Sequence, residues 1–119
     1  MTKRRILVVD DLAQVAESVR DELSTDFDVD IATSGLEALQ RFLTGGYEGL
    51  VVDVHLEAGI SGLELVANIR EHDADVQVIF FSATEYSDDV RRIAVELGAT
   101  FCKKPVTGET IRRLLAGRA

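Results

Sequence analysis

The feature that most constrains the fold is a regular alternation of short apolar runs with longer amphipathic segments. The apolar runs are rich in β-branched or aromatic residues, which favours strands, whereas the intervening segments repeat apolar residues at three- and four-residue spacing, which favours helices. Parallel strands need crossover connections, and helical crossovers cover both faces of the sheet. We therefore expect an α/β fold, with a doubly wound five-stranded parallel sheet and five helices in three layers.

Each helical segment has an apolar face that is expected to pack on the sheet. The predicted faces are Val15, Ala16, Val19 and Leu23; Leu36, Leu39, Phe42 and Leu43; Leu63, Val66 and Ile69; Val90, Ile93, Ala94 and Leu97; and Ile111, Leu114 and Leu115. Ser34 is predicted to cap the second helix, with Glu37 completing a capping box, and Thr107 is predicted to cap the fifth. Gly45-Gly46 and Gly98 are predicted to end the second and fourth helices.

Length, charge and cysteine content restrict the class of protein. The chain is the size of one domain, which we take as residues 1–119. A formal net charge of -8 argues against binding to nucleic acid or to an anionic membrane surface, since both need a basic face. The apolar runs are too short to span a bilayer, and the first reads as a strand rather than a secretory signal. The single cysteine, Cys102, is expected to be a small buried core residue, and a cytoplasmic location is expected.

Polar residues collect where the predicted strands end. Asp10 and Asp11 follow the first strand, and Asp53, Ser82 and Lys104 stand at the ends of the third, fourth and fifth. The carboxyl ends of parallel strands meet at one edge of the sheet, where ligands bind in such folds. Each residue alone has an ordinary explanation as a helix cap or a solvated charge. Their coincidence at successive strand ends instead favours a shared site.

The residue types in this group suggest a reaction. Three crowded carboxylates repel one another, and a hard divalent cation such as Mg²⁺ (or Mn²⁺) would compensate their charge. A phosphoryl group can then approach Asp53, whose carboxylate can act as a nucleophile and form an acyl phosphate. Lys104 and the Ser82 hydroxyl are placed to bind the oxygens of the incoming group.

Five segments of the chain match one known family. They are "ILVVDD", "LVVDVHL", "SGLEL", "VIFFSA" and "GATFCKKP". With them the chain resembles the receiver domain of bacterial two-component response regulators over nearly its whole length. The resemblance implies a flavodoxin-like three-layer sandwich with strand order 2-1-3-4-5. It also implies a phosphoacceptor switch that takes its phosphoryl group from a sensor histidine kinase, a phosphotransfer protein or a small acyl phosphate. Such a domain catalyses its own phosphorylation and dephosphorylation, rather than acting as a conventional enzyme, and controls a downstream effector or output domain.

The resemblance also implies roles at the acidic edge. Asp53 is the expected phosphoacceptor, and Asp11 and Asp53 are the expected direct Mg²⁺ ligands. The backbone carbonyl of His55 would be a third ligand, with Asp10 acting through water. His55 and Thr84 flank the phosphorylation site and are expected to tune the lifetime of the phosphoryl group.

A further set of residues would convert phosphorylation into a signal. Ser82 is the hydroxyl expected to move toward the phosphoryl group, Lys104 the lysine that contacts it, and Phe101 the switch aromatic. The Lys104–Pro105 bond would be cis. The expected output surface is the fourth helix, fifth strand and fifth helix, and a phosphorylation-dependent homodimer is among the expected partners. Its exposed candidates are Arg91, Arg92, Glu96, Lys103, Arg112 and Arg113.

Two segments depart from the family pattern. Glu57 stands where the family often has proline, "EAGISG" is one residue longer than usual, and the stretch from Gly98 to Phe101 is one residue shorter.

Three alternative functions compete with that of a receiver domain. A haloacid-dehalogenase-like hydrolase also uses a strand-end aspartate and Mg²⁺, but it needs an acid at the position of His55. A flavodoxin-like cofactor binder would have to place a phosphate beside Asp10 and Asp11, which would repel it. An interaction-only pseudo-receiver would keep the fold without the chemistry.

Overall fold

Five strands and five helices alternate along the chain, as the sequence predicts. The structure is a computed structural model that describes residues 3–56, 59–82, 87–103 and 107–116. The strands are β1 (Arg4–Val9), β2 (Phe27–Ala32), β3 (Gly49–Asp53), β4 (Gln77–Ser82) and β5 (Thr100–Lys103). The helices are α1 (Ala13–Leu23), α2 (Gly35–Gly45), α3 (Gly62–His72), α4 (Asp88–Glu96) and α5 (Gly108–Ala116).

The strands form one parallel sheet in the order β2-β1-β3-β4-β5. Val9 at the end of β1 pairs with Val52 of β3, and Asp53 pairs with Phe81 of β4. The carboxyl ends of the three central strands are therefore level with one another. The strand order reverses between β1 and β3, which is where folds of this type bind ligands.

Two hydrophobic clusters cover the two faces of the sheet. Alternate residues of β1 enter different clusters, because successive side chains of a strand point to opposite faces. Leu7 and Val9 pack in the cluster that includes residues of α2, α3 and α4, whereas Ile6 and Val8 pack in the one that includes residues of α1 and α5. All four side chains are wholly buried, as expected for a central strand of a parallel sheet.

The predicted apolar face of α2 was wrong at two positions. Leu36 and Leu43 are 61% and 53% exposed, whereas Ala38 and Phe42 are buried and Leu39 is half-buried. A helix directs one stripe of residues inward, and here the four-residue step from Ala38 to Phe42 defines that stripe. Leu36 and Leu43 lie to one side of it and face solvent.

The predicted face of α4 needs a similar correction. Ile93 is 36% exposed, and Ala94 is the buried residue of that helix. Val90 and Leu97 are half-buried and pack from the helix ends against the cluster that includes residues of α2, α3 and α4.

Among the helices of the described ranges, none combines the length and apolar character needed to cross a bilayer.

The capping box predicted for α2 does not form, but a different helix has one. Ser34 Oγ accepts a hydrogen bond from Glu37 N (3.1 Å), which confirms the cap. The Glu37 carboxylate instead accepts from the Thr33 amide (2.8 Å), and this backbone hydrogen bond holds the pKa of Glu37 below its usual value. At α3, Ser61 and Glu64 exchange both hydrogen bonds of a capping box.

The predicted ends of α2 and α4 and the predicted cap of α5 are confirmed. Gly46 and Gly98 follow α2 and α4 with φ of 66° and 70°, the left-handed conformation that glycine adopts without strain. Thr107 Oγ1 accepts a hydrogen bond from Thr110 N (3.1 Å) and so caps α5. These signals are local in sequence, which is why they can be read before the fold is known.

Cys102 is half-buried in β5 rather than fully buried. It packs against the cluster that includes residues of α1 and α5, as a small hydrophobic residue would. Burial raises the pKa of the Cys102 thiol, and a neutral thiol is a poor nucleophile. The expectation of a packing role therefore stands, at an edge strand instead of the centre of the core.

Candidate functional site

The structure brings three carboxylates together at the carboxyl edge of the sheet. One oxygen from each of Asp10, Asp11 and Asp53 lies within 4.8 Å of the other two. Asp10 is wholly buried, Asp53 is 6% exposed and Asp11 is half-buried. The sequence predicted this association because the carboxyl ends of parallel strands meet at one edge, and the structure shows that β1 and β3 are neighbours that end at the same level.

Backbone amides orient two of these carboxylates. Asp10 Oδ1 accepts a hydrogen bond from Leu12 N (2.8 Å), and Asp53 Oδ1 accepts one from His55 N (2.9 Å). In each case the amide belongs to the residue two positions later, as in the turns that aspartate favours. These two hydrogen bonds fix the orientation of the Asp10 and Asp53 carboxylates at the edge of the sheet.

The amino end of α3 lies directly behind Asp53. Gly62 N donates to the Val54 carbonyl (3.2 Å), and a methyl group added at Gly62 would overlap the Asp53 carbonyl oxygen. The helix approaches the end of β3 this closely only because residue 62 has no side chain. Sequence reasoning gave no positioning role to Gly62 and missed the adjacent capping box, although the S-x-x-E pattern of residues 61–64 signals that box.

Ser82 and Phe101 stand on the strands beyond Asp53. Ser82 is wholly buried at the end of β4, one residue past Phe81, the partner of Asp53 in the sheet. Phe101 of β5 is half-buried, and its ring packs against Phe80 with the ring centroids 5.6 Å apart. Ser82 therefore lies on the strand next to Asp53, and Phe101 lies on the strand after that.

Several predicted residues lie outside the described residues. They are Glu57, Thr84, Lys104 and Pro105, and the predicted cis bond lies there with them. The His55 side chain is exposed. Of the expected output residues, Arg91, Arg92, Glu96, Lys103 and Arg113 are exposed, as predicted.

Arg112 departs from that prediction. It is half-buried and forms an ion pair with Asp26, which follows α1, and it donates a hydrogen bond to the Glu22 carbonyl. An arginine held in this way links α5 to α1. It contributes to the packing of two helices rather than to a free output surface.

The acid cluster fits a hard divalent cation. Carboxylate oxygens are the ligands that Mg²⁺, Mn²⁺ and Ca²⁺ prefer, and three of them are already gathered here. Burying like charges side by side is unfavourable unless an opposite charge compensates them. The donor types and their burial therefore support a metal site at Asp10, Asp11 and Asp53.

Comparison with known proteins identifies the class to which this fold and acidic edge belong. Residues 6–116 match the response regulator receiver domain, and the chain belongs to this family. The transcriptional regulatory protein PrrA of Mycobacterium tuberculosis is 34% identical over 119 residues, which are 98% of this chain and 50% of PrrA. The chain thus spans about half the length of the curated relatives it matches.

Solved structures agree with this family and with the fold. A CheY-like receiver domain from Methanospirillum hungatei superposes with a TM-score of 0.89 at 21% identity, over 97% of this chain and 92% of that one. A response regulator from Burkholderia pseudomallei gives a TM-score of 0.86 at 28% identity, over 95% of this chain and 66% of that one. That second structure contains a phosphorylated aspartic acid, a calcium ion and citrate.

Proposed function

We propose that this receiver domain is a switch of a two-component system in which Asp53 accepts the phosphoryl group. The observation that carries the proposal is the cluster of Asp10, Asp11 and Asp53 carboxylates at the switch point of the sheet. The phosphorylated aspartic acid and calcium ion in the Burkholderia relative support the same chemistry in this family. The donor would be a phosphohistidine of a sensor histidine kinase or phosphotransfer protein.

The reaction is a displacement at phosphorus. A carboxylate oxygen of Asp53 forms the new P–O bond, while the bond from phosphorus to the donor imidazole nitrogen breaks and the imidazole keeps the electron pair. With a small acyl phosphate the leaving group is the donor carboxylate. The amide of His55 holds Asp53 Oδ1, which orients the attacking carboxylate.

The metal site and the phosphate contacts divide the remaining roles. Asp11, Asp53 and the backbone carbonyl of His55 would bind Mg²⁺ or Mn²⁺ directly, with Asp10 acting through water. Bound there, the cation supplies positive charge that offsets the carboxylates and the phosphoryl oxygens. The Ser82 hydroxyl donates a hydrogen bond to the transferred group, and Lys104 contributes a positive charge.

The output is a shift between inactive and active conformations. In the active form Ser82 moves toward the phosphoryl group and Phe101 changes its position, which alters the surface of α4, β5 and α5. A downstream effector, an output domain or a second copy of the chain binds that surface. The exposed charges of α4 and β5 supply polar contacts for such partners. We place this switch in the cytoplasm, in keeping with its single cysteine. We take residues 1–119 as one receiver domain.

Two features favour this function over a haloacid-dehalogenase-like hydrolase or a flavodoxin-like cofactor binder. The hydrolase needs a second acid two residues after its nucleophile, where this chain has His55 with an exposed side chain. A cofactor phosphate after β1 would meet the carboxylates of Asp10 and Asp11. The intact acid cluster likewise favours phosphorylation over an interaction-only role.

The test is the mass of the intact protein after incubation with a small acyl phosphate. We expect one phosphate adduct in the presence of Mg²⁺ and none with a chelator. Asp53→Asn should abolish the adduct, whereas Asp28→Asn, at an exposed position of β2, should retain it. An unmodified parent protein, or an Asp53→Asn variant modified as fully as the parent, would refute the proposal.

A further inference from the structure

The segment between β3 and α3 is anchored on α2 by one close contact. Gly35, the buried first residue of α2, faces Ile60. The Ile60 side chain is half-buried and packs against the hydrophobic cluster that includes residues of α2, α3 and α4. A methyl group added at Gly35 would overlap Ile60 Cγ1 and would lie 2.9 Å from the Ile60 carbonyl oxygen and 3.1 Å from its Cδ1. The missing side chain of Gly35 therefore leaves a notch that Ile60 fills.

The same segment is also fixed against the end of β3. Gly59 has φ of 74°, so the chain turns directly before Ile60. Ser61 then caps α3, and Gly62 N donates to the Val54 carbonyl. Residues 59–62 are thus held between α2 on one side and the strand that carries Asp53 on the other.

We propose that Gly35 and Ile60 are positioning residues that set the place of the β3–α3 segment relative to the acid cluster. This inference rests on the function proposed above, because it concerns metal binding at Asp53. An outward shift of Ile60 would move Gly62, which touches the Asp53 and Val54 backbone. That shift would displace the Asp53 carboxylate and the neighbouring His55 backbone, which are two of the proposed ligands.

The anchor acts by packing. Ile60 fills the notch at Gly35, which limits where residues 59–62 can lie relative to α2. Substitutions at Gly35 and Ile60 should therefore act on metal affinity through position alone.

Gly35→Ala tests this with a readout that needs no phosphorylation. The dissociation constant for Mg²⁺ is measured by following backbone amide shifts in NMR spectra as Mg²⁺ is added, alongside the free energy of unfolding in urea. We expect Gly35→Ala to weaken Mg²⁺ binding about tenfold, the lower end of what loss of a supporting contact does to a metal site. Most of the phosphorylation rate should return at saturating Mg²⁺.

Gly45→Ala is the matched control. It makes the same change at the other end of α2, where the added methyl group would overlap the Tyr47 ring. It should destabilise the helix comparably but leave Mg²⁺ affinity within about twofold of the parent, since it is about 15 Å along the helix from Gly35. Equal losses of Mg²⁺ affinity in the two variants would mean that general destabilisation is the cause, and would overturn the inference.

Ile60→Ala provides an independent arm and a rescue. The single variant removes carbon atoms from a half-buried side chain and should weaken Mg²⁺ binding about threefold, as a smaller loss of support than the clash at Gly35. In the Gly35→Ala background it removes Cγ1 and Cδ1, the side-chain atoms that would clash, so the double variant should bind Mg²⁺ more tightly than Gly35→Ala alone. Parent-like Mg²⁺ affinity in Ile60→Ala, or no recovery in the double variant, would contradict the inference.

The measurements distinguish the positioning role of Gly35 and Ile60 from the phosphoacceptor function of Asp53. A parent that takes up phosphate on Asp53, with Gly35→Ala binding Mg²⁺ as tightly as the parent, would refute only the positioning role. A parent that binds Mg²⁺ and shows the Gly35→Ala effect, yet takes up no phosphate, would support the positioning role and refute the phosphoacceptor function.

Discussion

At the scale of single residues, the acidic edge shows what sequence reasoning can and cannot reach. An apolar run that ends in an acid is a local pattern, so Asp10, Asp11 and Asp53 could be assigned to strand ends from the sequence. Their convergence then follows from the geometry of a parallel sheet. The contact between Gly62 and the Asp53 backbone could not be read in this way, because it depends on how closely α3 approaches β3.

Asp10→Asn should stabilise the metal-free protein. The substitution preserves the shape of the side chain and an acceptor for the Leu12 amide, but it removes one of three clustered negative charges. We expect the free energy of unfolding to rise by about 1–3 kcal/mol in a chelating buffer, and the additional stabilisation by Mg²⁺ to shrink. Urea unfolding with and without Mg²⁺ measures both quantities.

The control for that experiment is Glu17→Gln on the exposed face of α1, which should change stability by less than about 0.5 kcal/mol. An Asp10→Asn variant less stable than the parent in the absence of metal would show that repulsion within the cluster is not the dominant effect.

At the scale of secondary structure elements, α2 shows that the spacing of apolar residues does not by itself determine which side of a helix is buried. The sequence shows leucines at 36, 39 and 43 and a phenylalanine at 42, and these residues cover more of the helix than one face can bury. Which stripe turns inward depends on the sheet beneath the helix. Helix ends were easier to predict, because a cap such as Ser34 and a left-handed glycine such as Gly46 act over a few residues.

Substitutions on α2 should separate its two apolar stripes. Leu36→Gln and Leu43→Gln should each change the free energy of unfolding by less than about 1 kcal/mol, because more than half of each side chain already contacts water. Phe42→Ala should lower it by about 3–5 kcal/mol, since it opens a cavity in the core. Urea denaturation of the three variants measures these differences, and a loss at Leu36 as large as that at Phe42 would contradict the assignment of the faces.

At the scale of the whole molecule, α5 is tied to distant parts of the chain at both ends. Gly108 N, at its start, donates to the Glu22 carboxylate (2.9 Å) of α1. At its end, Gln77 Nε2 donates to the Leu114 carbonyl (2.9 Å) and Arg4 donates to the Leu115 carbonyl (3.3 Å). The Arg4 contact joins residues 111 apart in sequence. Periodicity predicts that α5 exists, but it does not reveal partners that the fold alone brings near.

The layers of the fold could be predicted from the hydrophobic pattern, but the order of the strands in the sheet could not. Alternating patterns are sufficient to predict three layers and a parallel sheet, because crossovers must cover both faces. The order β2-β1-β3-β4-β5 required the family resemblance, since hydrophobic patterns do not specify which strands are neighbours. The structure confirms the order.

Glu22→Ala should loosen the start of α5. The substitution removes a carboxylate that accepts from the Gly108 amide, so the free energy of unfolding should fall by about 1 kcal/mol, as for loss of a helix cap. Hydrogen exchange at the first amides of α5 should accelerate. Glu17→Ala, on the exposed face of α1, is the control, and equal exchange rates in both variants would show that this contact does not secure α5.

If Asp53 is the phosphoacceptor, a covalent bond to phosphorus forms on its carboxylate. Borohydride reduces an acyl phosphate to an alcohol, so treatment of the phosphorylated protein should convert the modified aspartate to homoserine. Fragmentation of the peptide that contains residues 49–56 then locates the altered residue by mass. We predict homoserine at position 53 alone. Homoserine at position 10 or 11, or no homoserine in a protein that carries the phosphate adduct, would show that Asp53 is not the phosphoacceptor.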